Sequence, residues 1–287
     1  MRFTLMLGLG GHEDYAAVAS AAEASGWHAL SVPDSIFYPK ISESDYPYAD
    51  TAAVRGVLEA TPVIDPLVAI AGMAAVTEKL RFYPGVLKVP VRQPLVLAKT
   101  LGSVAVMSNN RLSLGAGLSP WKEDFSYNGV EFDKRGKLMD ECLEIIRAAL
   151  TGEYFDYRSD HFDIGEVKLS PAPTQPVPIL IGGHAKPALR RAARLGDGWI
   201  SANSDLETLS GLIEQLQAFR EEYGSRSDFE IHALDSNLRS LDDCRRLEEL
   251  GVTDICVTPW NPYKNDLSLD DKLAAIDRFA NEVISAA

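Results

Sequence analysis

The sequence predicts an α/β fold of one specific kind, a closed (β/α)8 TIM barrel. Three observations carry this. Strand-like and helix-like segments alternate from end to end, the helical ones space their apolar residues by three and four, and eight of each can be laid out in order. The chain has 287 residues, 46% hydrophobic and 24% charged. That suits an architecture that takes about 250 residues and leaves room for insertions.

The first strand, Phe3–Leu7, lies in an apolar stretch followed at once by Glu13 and Asp14, so it is expected to be a strand and not a leader. A helix follows near 14–25, closed by Gly26 as a C-cap. Strand two, Ala29–Val32, leads into a Tyr/Pro/Asp-rich insertion at 35–65, then a helix at 66–77. Strand three, Leu80–Tyr83, is followed by a helix at 94–107, and strand four, Leu112–Leu114, by an insertion at 118–134 and a helix at 135–150. A third insertion, 151–176, carries EYFDY and HFDI, which can pair as a hairpin. The last four units are Ile179–Ile181 with a helix at 185–195, Trp199–Ala202 with 205–223, Phe229–His232 with 240–250, and Asp254–Val257 with 269–285. Gly196 and Gly251 end two of these helices. No repeat or domain boundary interrupts residues 1–287, so one domain is expected.

Composition excludes several functions. With 28 basic and 41 acidic residues the net charge is -13, and no basic run offers a face to nucleic acid or an anionic membrane. The longest apolar run, Pro66 to Val76, is far short of the roughly 20 residues that span a bilayer. Cys142, Cys244 and Cys256 are too few and scattered for a disulfide framework or thiolate metal site, which fits packing roles in a reducing, cytoplasmic compartment. His12, Glu13 and Asp14 sit where a helix start expects acidic residues, so no metal is assigned. His161 and Asp163 are expected at the surface, and His232 inside the barrel with a hydrogen-bond partner. Neither a GxSxG elbow nor an HExxH helix is present.

In such barrels the residues just after each strand form the active face. Four segments stand there. In PILIGGHAKPALRRAARLGDGWI the strand ending at Ile181 runs into Gly182-Gly183-His184 and a helix with Pro187 in its first turn, which suits either an anion cradle or a tight turn at positive φ. The location favours phosphate. Asp34 follows strand two and either points into the mouth or caps a turn. Pro84-Gly85-Val86-Leu87 ends strand three. Gly115 and Gly117 stand two apart before Leu118 and Ser119, without the third glycine and helix of a dinucleotide fingerprint. Phe37, Tyr38, Tyr46, Tyr48 and Trp121 suggest an apolar pocket or surface packing.

Together these segments resemble the luciferase-like superfamily of flavin- and deazaflavin-dependent oxidoreductases. The likeness lies in AEASGWHALSVPDS, in DPLVAIAGMAAVTEKLRFYPGVLKVPVRQPLVLAKTLGSVAVMS, in NRLSLGAGLSPWKEDF with KRGKLMDECLEIIRAALTGEYF, and in IGGHAKPALRRAARLGDGWI. The insertion DSIFYPKISESDYPYAD, leading to IDPLVAIAG, is most similar to the coenzyme F-420 branch. The resemblance implies a deazaflavin cofactor, with FMN as the alternative. It places Asp34 near the ring and Gly85, Val86 and Leu87 in a bulge with a non-proline cis peptide behind it. It places Gly117, Leu118 and Ser119 beside the cofactor tail, and Ile181, Gly182, Gly183 and His184 at its phosphate.

Three departures limit the transfer. Ser35 stands where deazaflavin enzymes often carry a histidine, Pro120 replaces the glutamate acid of the sugar-phosphate dehydrogenases, and SNNR at 108–111 replaces an SGGR turn. The implied activity is hydride transfer between deazaflavin and an organic small molecule. The alternatives are an FMN-dependent monooxygenase fed by a partner reductase and a non-catalytic cofactor-binding barrel, with a barrel hydrolase more distant. A homodimer is implied by the resemblance alone.

Overall fold

A computed structural model describes residues 1–48, 50–224, 228–234, 238, 240–261 and 267–286. Its strands, in chain order, are β1 (Arg2–Met6), β2 (Ala29–Val32), β3 (Arg81–Pro84), β4 (Leu87–Lys88), β5 (Leu114–Gly117), β6 (Phe155–Arg158), β7 (Asp163–Val167), β8 (Ile179–Gly182), β9 (Gly198–Ser201), β10 (Glu230–Leu234) and β11 (Asp254–Val257). The helices are α1 (Tyr15–Ala24), α2 (Thr51–Ala60), α3 (Pro66–Ala74), α4 (Pro94–Met107), α5 (Lys122–Ser126), α6 (Arg135–Ala149), α7 (Lys186–Leu195), α8 (Leu206–Tyr223), α9 (Leu241–Glu249) and α10 (Leu269–Glu282).

One parallel sheet runs in the order β3-β2-β1-β11-β10-β9-β8-β5-β4. Its ends meet, because β3 and β4 are two halves of a single strand interrupted at Gly85-Val86. Phe82 bridges to Leu112, and Leu87 and Lys88 pair with Ala116 and Gly117. The sheet is therefore an eight-stranded barrel, as the alternation predicts. The peptide Gly85-Val86 is cis, as the resemblance implies.

Side-chain alternation divides the apolar residues into two groups. Phe3, Leu5, Leu30, Val32, Phe82, Leu114, Ile179, Ile181, Ile231 and Ile255 join the large core between sheet and helices. Ala29, Tyr83 and Leu180, with Ile200, form a small separate cluster inside the barrel. Sequence signals at the helix starts act as expected. Asp65 accepts from Leu67 N at 2.9 Å, Asp205 from Thr208 N at 2.7 Å, and Ser240 forms a capping box with Asp243.

Three expectations need correction. Strand four lies at 114–117 and not at 112–114, because Gly115 and Gly117 belong to the ladder. Asp14 makes no cap hydrogen bond; its carboxylate takes Lys272 Nζ at 2.7 Å. His161 is not simply exposed, since its ring lies 3.0 Å from buried Glu141. Asn109 and Asn110 take φ of 54° and 60°, which is how SNNR substitutes for a glycine turn. The hairpin in the third insertion forms as β6 and β7. Among the described residues no helix is long and apolar enough to cross a membrane.

Candidate active site

A cleft of about 290 Å³ opens at the C-terminal ends of the strands. Met6 to Leu9 after β1, Pro33 to Ser35 after β2, Gly85-Val86, Lys88, and Leu118 to Trp121 after β5 form its walls, and Tyr46, Tyr48, Val54 and Leu58 of the first insertion cover it. Most of these groups are apolar. The aromatic residues of the insertion divide between two roles: Tyr46 and Tyr48 face the cleft, while Phe37 stacks on Tyr127 and Tyr38 lies under Arg55.

Val86 is seated in a groove made by missing side chains. A Cβ at Gly117 would fall well inside contact with Val86, one at Gly182 would stand 2.8 Å from Val86 Cγ1, and one at Gly115 would meet the Pro84 carbonyl. These glycines admit the bulge between β3 and β4. Their first duty is close backbone packing, with no ligand required to explain them.

Asp34 lines the cleft but is already engaged. Its two oxygens take Arg92 Nη1 and Nη2, each at 2.9 Å, and Oδ2 also accepts from Lys88 N at 2.9 Å. Burial lowers the Arg92 pKa, and the Asp34 hydrogen bonds and charge outweigh it, for a net rise. Arg92 Nη1 also donates to Lys88 O at 3.1 Å, so this pair grips both sides of the Lys88 backbone. Lys88 Nζ in turn lies 2.6 Å from Asp124 Oδ2, which also accepts from Ser119 Oγ. Both Asp34 oxygens are thus engaged in holding Arg92 and the Lys88 backbone, on the cleft wall where the ring contact is expected.

At the glycine turn, Gly183 has φ 116°, and its carbonyl accepts from Trp199 Nε1 at 2.9 Å. His184 Nε2 lies 3.0 Å from Ser201 Oγ. Burial lowers the His184 pKa, partly opposed by the Ala202 backbone, so the ring is neutral at pH 7. Tyr48 packs edge-on against His184 with centroids 5.2 Å apart and roofs the turn. Leu87 and Ile181 are fully buried in the outer core, so strand alternation takes their side chains away from the cleft.

At the opposite end of the barrel, Glu230, His232 and Asp254 bring possible metal ligands within 4.8 Å of one another. Arg2 already bonds both carboxylates, at 2.8 Å and 2.5 Å, and supplies the positive charge. His232 is buried and hydrogen-bonded there, as expected.

A family model described as luciferase-like monooxygenase matches residues 3–234. The chain belongs to that family. An uncharacterized protein of Mycobacterium tuberculosis (strain ATCC 25618 / H37Rv) is 43% identical over 99% of both chains. The F420-dependent glucose-6-phosphate dehydrogenase of Amycolatopsis mediterranei (strain U-32) is 29% identical over 46% of this chain and 42% of its own length. In fold, an F420-dependent secondary alcohol dehydrogenase superposes with a TM-score of 0.79 at 14% identity, over 100% of this chain and 99% of the other.

The cleft offers a flat ring apolar and aromatic surface, since Val86 of the bulge, Leu118 and Tyr46 all line it. Sequence reasoning missed Lys88, Arg92 and Asp124. A lone lysine in the apolar run VLKVP was the available signal, because a buried ammonium demands a partner.

Proposed function

We propose that this chain is an oxidoreductase that moves a hydride between a deazaflavin of the coenzyme F-420 type and an organic small molecule in the barrel-mouth cleft. The observation that carries this is the largely apolar cleft at the barrel mouth, lined by the Gly85-Val86 bulge, Leu118, Tyr46 and Trp121, which suits a flat ring. A bound group would supply the electrons, and a deazaflavin supplies two of them as hydride. Val86 and Leu118 would flank the ring, while Gly183, His184 and the amides opening α7 would hold the phosphate once Tyr48 swings aside. The F420-dependent relative supports a deazaflavin, and a structural neighbour with modified FMN keeps the flavin alternative open to the same test. The carboxylate chemistry of a hydrolase finds no support, since Asp34 and Asp124 are each paired with a cation.

Titration of the purified protein with each cofactor tests the reading. Coenzyme F-420 is expected to bind in the micromolar range or tighter, read from its fluorescence, and FMN at least tenfold more weakly. A preference for FMN would favour the second reading, a monooxygenase supplied by a separate reductase, which the family's description keeps in view. Oxidation of the bound reduced cofactor by an organic acceptor excludes a merely cofactor-storing barrel. A cytoplasmic homodimer is part of the same proposal.

A further inference from the structure

Lys88 is the cation that lines the cleft without being used up by its surroundings. It is 8% exposed, and its ammonium makes one hydrogen bond among the described residues, to Asp124. An ammonium carries three donors, so two are unmatched. Asp124, 1% exposed, has a second carboxylate oxygen that is buried and without a partner. Buried polar groups are almost always satisfied, and of the residues that line the cleft with Lys88, Met6, Leu7, Val86 and Leu118 present only apolar side chains. The chain therefore holds a charged donor in place, clamped through its backbone by Asp34 and Arg92 and through its tip by Asp124, and among the described residues no second acceptor meets its ammonium.

The charge balance indicates what the acceptor is. Asp124 neutralises Lys88, and Arg92 is committed to Asp34, so the cleft has no net positive charge with which to hold a full anion. A neutral oxygen that becomes negative only as the reaction proceeds is the better match, because fixed donors then stabilise the transition state more than the ground state. We propose that Lys88 Nζ holds and protonates the carbonyl oxygen of an apolar ketone or enone, with Asp124 and Ser119 as positioning residues. This rests on the hydride-transfer reading above. The bound cofactor would supply a hydride to the carbonyl carbon; the C=O π pair then moves to oxygen, which takes one proton from Lys88. The products are an alcohol, the oxidised cofactor and a neutral amine, which regains its proton from solvent.

The test uses 4-(dimethylamino)benzylideneacetone, an apolar enone whose absorption moves to longer wavelength when its oxygen accepts a strong hydrogen bond. The wild-type chain is expected to bind it with a red shift, Lys88→Arg to keep the shift, and Lys88→Met to lose it and bind about tenfold more weakly. Binding without a shift in the wild type, no binding at all, or a shift that survives in Lys88→Met would each overturn the proposal. Should Lys88→Met unfold because Asp124 is left alone, the double variant Lys88→Met/Asp124→Leu removes both charges together and is read in the same way. The probe needs no cofactor. A red shift in a protein that binds no deazaflavin would therefore retire the hydride-transfer reading and leave the Lys88 anchor, and deazaflavin binding without the shift would do the reverse.

Discussion

At the scale of single residues, the Asp34–Arg92 pair illustrates how a charge at an active face can serve architecture. The Asp34 side chain is 1% exposed and that of Arg92 19%, and removing one partner of such a pair leaves the other charge buried and uncompensated. Asp34→Ala is expected to cost about 3 kcal/mol in urea unfolding, and Asp34→Ala/Arg92→Met to recover a good part of that loss. Additive losses in the double variant would show that the pair is not coupled. The same residues show what sequence could reach. Asp34 was visible as an acid at the mouth, but its partner Arg92 lies 58 residues on, and Lys88 and Asp124 are separated by 36. No local spacing joins such pairs, because the barrel, and not the chain, makes them neighbours.

At the scale of elements, the broken strand β3/β4 and the glycines facing it form one packing unit. Gly117→Ala would thrust a methyl into Val86, and overpacking of this kind costs about 1–3 kcal/mol. Val86→Ala makes the room, so Gly117→Ala/Val86→Ala should be more stable than Gly117→Ala alone; a thermal melt that ranks them the other way would dismiss this account of the glycine. Gly115 is less forgiving, since the atom in the way is the Pro84 backbone carbonyl, which no side-chain substitution removes. Here lies the physical reason that strand four was placed two residues early. Glycine in a sequence signals a turn by default, and only the bulge across the ladder explains why Gly115 and Gly117 remain within it. Period two turns Leu87 and Ile181 to the outer face, next to an inward Gly182, although the resemblance had given both a place at the cofactor. The number and order of strands were legible because apolar alternation is repeated eight times, and so were cleft walls such as Asp34, Val86 and Ser119 that follow strands, while the roof was not, because an insertion carries it.

For the whole molecule, the barrel has two unlike ends, an apolar mouth and a charged base, and the base sets its behaviour in acid. Glu230 is buried enough for desolvation to raise its pKa, yet hydrogen bonds and charge from His232 and Arg2 prevail and hold it at about 2, against an ordinary 4.5. A carboxyl depressed in this way stabilises the fold above its unfolded value and surrenders that stability as pH falls from about 4.5 toward about 2. His28 and His184 act earlier. Burial is the first cause of the lowered pKa of each, so both are neutral in the fold, and the unfolded chain takes up their protons first as pH drops below 6.5. Stability is therefore expected to fall in two stages on acidification, the first starting near 6.5 and the second near 4.5. Glu230→Gln should be less stable than wild type at pH 7 and should flatten the second stage while leaving the first, because glutamine keeps a hydrogen bond to Arg2 or His232 without a titrating proton. Melting temperatures of both proteins across this range decide the matter. An unchanged second stage in Glu230→Gln would move the acid sensitivity to other carboxylates and leave the base of the barrel a passive plug.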